Sequence, residues 1–237
     1  MVISDDSRCA LVLVVGFPPK IVACDLTKSK ILGVHTLGLS PVRCLAIAAD
    51  GTLGCVSDGN RQIEIWEIAT DKVLNQSQQP DSSLPLRVLF QPDGKSVTVV
   101  TNQRLMQFDR SENAWHHDRG ISFSPAAVEA WTSESGTGIA VNRDLQIDII
   151  DAISQKVIWS IPRIRTDPIV DCSLSADACV AAVSDHQQIR VWDVSKRQLL
   201  ATQIPKAHSV IRGGEATRLV MRDSRSAFPR LRALWTN

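Results

Sequence analysis

Apolar residues in this chain come in short runs, separated by clusters of Gly, Pro, Asn, Asp and Ser. The pattern is most complete between positions 42 and 76. Residues 42–48 (VRCLAIA), 53–56 (LGCV), 62–68 (QIEIWEI) and 72–76 (KVLNQ) read as four strands. Asp50-Gly51 and Ser57-Asp58-Gly59-Asn60 read as the turns between the first three, since Gly and Asx residues accept the backbone conformations a tight turn demands. The spacing leaves no room for a helix of three turns.

The same order recurs at a fixed step. Cys24, Trp66, Phe108, Ile150 and Trp192 lie 42 residues apart, and the next residue is acidic each time: Asp25, Glu67, Asp109, Asp151 and Asp193. Asn60, Asn102 and Asp144 keep the same step. A repeat of this length marks a solenoid or propeller in which each supersecondary unit covers its neighbour. Strands such as 188–194 (QIRVWDV) are apolar on both faces in places, as sheets packed face to face around an axis require. The expectation is an all-β chain: a β-propeller of about six four-stranded blades, roughly 1–37, 42–77, 86–119, 126–161, 169–204 and 208–237, within one domain spanning 1–237. The first and last blades are incomplete. The first has at most residues 1–3 for its innermost strand. The last carries Trp235, followed by Thr236 instead of an acid, and stops after its third strand.

Composition changes this picture little. With 44% hydrophobic residues, 22% charged and a net charge of +1, nothing argues for a nucleic-acid or membrane partner of the whole chain. The charge is uneven, however. Residues 206–237 hold seven Lys/Arg against two acids, which makes Arg218, Arg222, Arg225 and Arg232 a candidate basic interaction patch. The blander reading, a solvated blade edge, is the favoured one. The six cysteines form no CxxC pair and have no neighbouring His spacing, so no metal site is expected. They read as reduced core residues of an intracellular, cytoplasmic protein. The apolar run 10–15 is too short and follows acids, unlike a signal peptide, and no run approaches transmembrane length.

Ile63-Glu64-Ile65-Trp66-Glu67 and Ile189-Arg190-Val191-Trp192-Asp193, with the turns Asp50-Gly51 and Pro92-Asp93-Gly94, resemble the WD-repeat family of β-propellers. The resemblance runs over nearly the whole chain. Its motifs are degenerate: the Asp that the family places six residues before the Trp reads Asn60, Asn102, Asp144 and His186 here. The Gly-His pair that opens a typical repeat is absent, which weakens the case for the family's His–Ser–Asp–Trp hydrogen-bond network. A closed propeller of this family pairs strands from its two termini, and neither end here supplies its share. Either the ring closes without that clasp or the chain is a piece of a longer propeller, and we favour the second. Degenerate, cysteine-rich arrays of this kind look like those of NACHT-type signalling ATPases.

Trp66, Trp192 and Trp235 read as packing between blades rather than as ligand platforms. His116-His117-Asp118 and Asp185-His186 come nearest to acid–base or metal groups. Adjacent histidines on a strand face opposite ways, and solvated loops are expected at both places. There is no GxSxG, GxGxxG or phosphate loop. The innermost strands offer only Glu129 and Asp171 to a central channel, too few for hydrolytic or metal chemistry. The reading is a non-catalytic protein–protein interaction platform or scaffold within a larger signalling or regulatory assembly, without a cofactor. Its partner is a protein, with an acidic surface if the basic tail engages it. A propeller enzyme with a central-channel site is the alternative.

Overall fold

The computed structural model describes residues 1–38, 40–78, 83–110, 115–133, 135–163 and 168–203. These residues form strands and turns with no helix, and the strands make five four-stranded antiparallel sheets. Sheet one is β1 (Val2–Ile3), β2 (Cys9–Val14), β3 (Lys20–Asp25) and β4 (Lys30–Thr36). Sheet two is β5 (Val42–Ile47), β6 (Leu53–Asp58), β7 (Gln62–Glu67) and β8 (Lys72–Gln78). Sheet three is β9 (Pro85–Phe90), β10 (Ser96–Thr101), β11 (Arg104–Arg110) and β12 (Trp115–Ser122). Sheet four is β13 (Glu129–Thr132), β14 (Gly138–Asn142), β15 (Gln146–Asp151) and β16 (Lys156–Pro162). Sheet five is β17 (Ile169–Leu174), β18 (Val180–Asp185), β19 (Ile189–Asp193) and β20 (Gln198–Gln203). Each is a simple meander of consecutive strands. The expected sixth unit, with Trp235, Arg218, Arg222, Arg225 and Arg232, lies outside the described residues.

The loop expected at His116-His117 is a strand instead. Both residues belong to β12, opposite Asp109 and Phe108 of β11. Within β12 the stretch His116-His117-Asp118-Arg119-Gly120 carries no apolar residue, so the sequence pattern does not announce this strand.

One irregularity repeats in all five sheets. The pairing of the third strand with the fourth slips at Ala23/Cys24, Ile65/Trp66, Gln107/Phe108, Ile149/Ile150 and Val191/Trp192, immediately before each residue of the 42-residue series. The residue skipped by the pairing is in the fourth strand: Leu32, Leu74, Asp118, Ile158 and Leu200. Such a bulge bends the strand, increases its twist and re-aims a side chain. Leu74 and Ile158 are packed against hydrophobic cores, whereas Leu32 and Leu200 at the same place are exposed.

The turn that follows is equally regular. Four residues after the acid, Ser29, Asp71, Gln155 and Arg197 have φ of 51°, 57°, 55° and 55°, the left-handed region. The acid closes the turn from the other side. Asp25 Oδ1 accepts from the Thr27 amide (2.9 Å), the Thr27 hydroxyl (2.7 Å) and the Lys28 amide (2.9 Å). Asp193 Oδ1 accepts from the Ser195 hydroxyl (2.7 Å) and the Lys196 amide (2.8 Å). Glu67 takes the Thr70 hydroxyl.

The described residues divide into two compact units, those of Met1–Ala130 with Ala152–Gln155, and those of Trp131–Asp151 with the described residues from Lys156 onward. The first holds two clusters. One joins Leu11, Ile21, Val56, Trp66 and Ile68; the other joins Cys55, Ile63, Ile65, Val97, Val99, Met106 and Phe108. The second unit is built on Trp131, Ile147, Ile149, Cys172, Leu174, Val183 and Trp192. Trp66 and Trp192 are 2% and 8% exposed, and Trp192 meets Trp159 edge to face at 5.6 Å. Trp66 lies over Gly54, its cross-strand partner, where a Cβ would come within 2.3 Å of the indole.

Emptying a large aromatic site in a core costs about 3–5 kcal/mol. Trp66→Ala and Trp192→Ala are expected to lose that much in denaturant unfolding. Gly54→Ala should lose about 1–3 kcal/mol by overpacking against the indole. Values within about 0.5 kcal/mol of wild type, typical of surface changes, are the contrary outcome. At the exposed position Arg197, Arg197→Val should cost more than Arg197→Gly by about 1–2 kcal/mol in the same melts, because only glycine enters the left-handed region freely.

Candidate functional site

The repeated acids are occupied in turns. Hydrogen bonds from the Ser195 hydroxyl and the Lys196 amide, with the Lys196 ammonium beside them, hold the Asp193 carboxyl down at about 2. Asp25 is lowered likewise, first by the Thr27 hydroxyl and then by the Lys28 amide. Of the residues preceding them, Trp66, Phe108, Ile150 and Trp192 are buried and Cys24 is half-buried. An open groove of about 560 Å³ lined by Asp6, Arg8, Asp25, Lys28 and Asp50 shows the same economy. Arg8 pairs with Asp6 and Lys28 with Asp25, each at 3.9 Å, while Asp50 Oδ1 accepts the Thr52 amide and hydroxyl.

The positions Asn60, Asn102, Asp144 and His186 do not act as one series. The carboxylates that close the turns between second and third strands are Asp58, accepting the Gln62 amide at 2.9 Å, and Asp185, accepting the Gln187 and Gln188 amides at 2.8 Å. These precede the expected positions because the strands before them are longer than their apolar runs suggest. Asn102 does something different. Its side chain accepts the Leu84 amide (2.7 Å), its own amide donates to the Leu84 carbonyl (2.9 Å), and its carbonyl accepts the Ala127 amide (2.6 Å). One asparagine thus holds the connections into both β9 and β13.

In the second unit Asp185 also binds Arg190, with both side chains buried. Asp148 is buried with Arg143 at 3.2 Å and accepts the Ser160 hydroxyl and the Gln146 amide, each at 2.6 Å. The two buried carboxylates are paired internally, as burial requires. Glu129 opens β13 and Asp171 lies in β17, both half-buried and both engaged by neighbours. Among the described residues, no three His, Cys, Asp or Glu side chains lie close enough to hold a metal ion. The cysteines are free, but they are not uniformly core residues: Cys179 is exposed in the turn before β18, where a short polar connection leaves nothing to cover it.

The densest ionisable cluster was not anticipated from the sequence. His35, near the end of β4, lies against the face of sheet two. Gly33 makes this possible, because a Cβ there would sit 2.9 Å from the Ile68 carbonyl oxygen. The imidazole stacks on Trp66, with centroids 4.4 Å apart and planes 8° from parallel. Its Nδ1 lies 2.5 Å from Asp71 Oδ1 and its Nε2 2.5 Å from Glu64 Oε1. Burial pushes the imidazole pKa down, but the hydrogen bonds and charges of Glu64 and Asp71 outweigh it, and the net direction is up. Glu64 is the signal a sequence could have offered. An acid between Ile63 and Ile65 in a buried strand demands a cationic or donor partner.

No protein-family model matches the chain. WD repeat-containing protein 90 of Homo sapiens is 22% identical over a 209-residue match that covers 78% of this chain and 12% of that protein. The chain therefore spans only a small part of the curated relative it matches. Among solved structures, the β-propeller domain of Myceliophteria thermophila Cps50 (Swd1) superposes with a TM-score of 0.63 at 12% identity, covering 86% of this chain and 70% of that one.

The lowered Asp193 carboxyl implies a pH window. Its bonds contribute stability above the ordinary carboxylate value of about 4, and that contribution is lost as pH falls through about 2. Acid unfolding of Asp193→Ala should therefore depend less on pH between about 4 and 2 than wild type, read by circular dichroism.

Proposed function

We propose that this WD-repeat β-propeller is a non-catalytic protein–protein interaction platform, one part of a larger signalling or regulatory assembly. Propellers of this kind generally serve protein interaction and scaffolding. One observation carries the reading. The groups that recur with the repeat are consumed inside the fold, in turn closure and packing, while large apolar side chains stand free at loop ends. Val15 is 90% and Phe17 85% exposed between β2 and β3, and Val128 is 69% exposed just before β13. Rigid sheets that carry variable loops with exposed apolar groups are suited to partner binding, and the chemistry of those loops sets what binds.

The partner is a protein. If the arginines at 218, 222, 225 and 232 contribute, its surface is acidic and affinity falls as salt rises, because exposed charges are screened within about 10 Å at roughly 0.1 M. Nucleic acid and membrane are not its targets, and no cofactor takes part. The cytoplasm remains the proposed compartment, supported by six cysteines that form no disulfide.

The test is a pull-down from cytosol with the full chain, identification of what is retained, and titration of the purified pair with salt. Replacing Arg218, Arg222, Arg225 and Arg232 by Ser should slow association more than it speeds dissociation. Binding indifferent to salt and to these changes discards the basic patch and keeps the platform. Turnover of a substrate, lost on changing Glu129 or Asp171, overturns the platform in favour of a central-channel enzyme.

A further inference from the structure

We propose that His35, Glu64 and Asp71 form a proton-operated latch that pins the outer strand of sheet one onto sheet two.

The geometry counts the protons. Each ring nitrogen of His35 lies 2.5 Å from a carboxylate oxygen, and each of those lines needs a hydrogen. A neutral imidazole supplies one hydrogen and presents a lone pair on its other nitrogen, which would face a carboxylate oxygen and be repelled. The second hydrogen belongs on the ring rather than on Glu64 or Asp71, since an imidazole ordinarily keeps its proton to about 6.5 and a carboxyl only to about 4. The closed cluster is therefore an imidazolium between two carboxylates. Its flat face rests on the Trp66 indole, an arrangement that favours a cation over a neutral ring.

Among the described residues, the charged groups that act on the imidazole are Glu64 and Asp71. From β7 comes Glu64, from the β7–β8 turn comes Asp71, and from β8 only the amide of Gln76, 3.4 Å from the second Glu64 oxygen. Cys55 of β6 is a further titratable neighbour of Glu64, and burial keeps its thiol protonated. The cluster thus has one proton that can leave near neutral pH.

The two carboxylates are not equivalent once it does. The Glu64 side chain is 18% exposed and the Asp71 side chain 49% exposed. The neutral ring keeps one N–H, which serves the enclosed Glu64. Asp71, at the surface end of a turn, rotates into water. His35 then no longer ties β4 to that turn, and β4 holds to sheet two through packing and the one remaining His35–Glu64 hydrogen bond. A cluster whose folded-state proton affinity is raised contributes stability fully below the ordinary histidine value of about 6.5 and loses it as pH rises through the folded value. The latch is shut on the acid side and open on the alkaline side.

The experiment is a proton NMR titration of the full chain, with the His35 Hε1 resonance assigned by its loss in His35→Gln. Hydrogen exchange of residues 30–36 is measured over the same pH range and corrected for intrinsic rates. We expect a His35 midpoint above about 6.5, lowered by about one pH unit or more in Asp71→Asn, which removes a facing charge. Protection of 30–36 should fall across the wild-type midpoint and show no such step in Asp71→Asn. The wild-type hydrogen-exchange profile of 30–36 does not depend on any variant folding. A midpoint at or below 6.5, an unchanged midpoint in Asp71→Asn, or protection that ignores the titration overturns the latch.

Discussion

Where the fourth strand of each sheet meets the residue of the 42-residue series, it inserts one residue that the third strand does not match. That slip is the constraint on which the rest of the repeat depends. Of the inserted residues, Leu74 and Ile158 pack against the cores around Met106 and Ile149, whereas Leu32 and Leu200 stay exposed. An extra residue also sharpens the local twist, so the strand ends are offset and the hairpin closing them is not free to take any form. The left-handed residue and the carboxylate accepting amides across the turn occur in that hairpin, at fixed distances from the bulge. Bulge, acid and left-handed residue are one device. The acid belongs to it for backbone reasons, which is why it persists where the aromatic residue before it does not.

Much of this was legible because the device is local. Third strand, acid and turn are contiguous in sequence, so a fixed period exposes them even when only two of the five aligned positions before the tail are Trp. What was not legible falls into two kinds. Within β12 the stretch from His116 to Gly120 carries no apolar residue, so nothing in the pattern marks it as a strand, whereas 72–76 in the second sheet does read as one. The left-handed positions are Ser29, Asp71, Gln155 and Arg197, none of them glycine, so residue type gives no hint that the backbone there is unusual.

The His35 cluster was hidden for another reason. Its partners lie 29 and 36 residues away, on a different sheet, so no local pattern in the sequence brings them together. The three side chains meet only because Gly33 lets β4 approach Ile68 and because Asp71 is already fixed by its turn. The left-handed turn therefore does two jobs at that one place. It ends a hairpin, as its counterparts do, and it holds a carboxylate against an imidazole from the neighbouring sheet.

The degeneracy of the series also has a physical account, in the residue directly across on the second strand. Trp66 faces Gly54 and Trp192 faces Ala181, whereas Phe108 faces Val97 and Ile150 faces Ile139. Directly opposed residues in an antiparallel pair share one face of the sheet, so each pair divides a roughly common volume. An indole is admitted only where its partner has given up its side chain or nearly so; a medium residue takes a medium partner. Replacing Ile150 by Trp alone would overfill the site, and replacing Gly54 by a larger residue drives into the indole. Cys24 opposite Ala10 breaks the pattern by being small on both sides, and it is the one member of the series that is only half-buried. The aromatic residue is thus not an independent mark of the repeat. It is one of several ways to fill a space whose shape the bulge and the opposing strand have set, and a search for Trp alone sees only the sites where the partner is smallest.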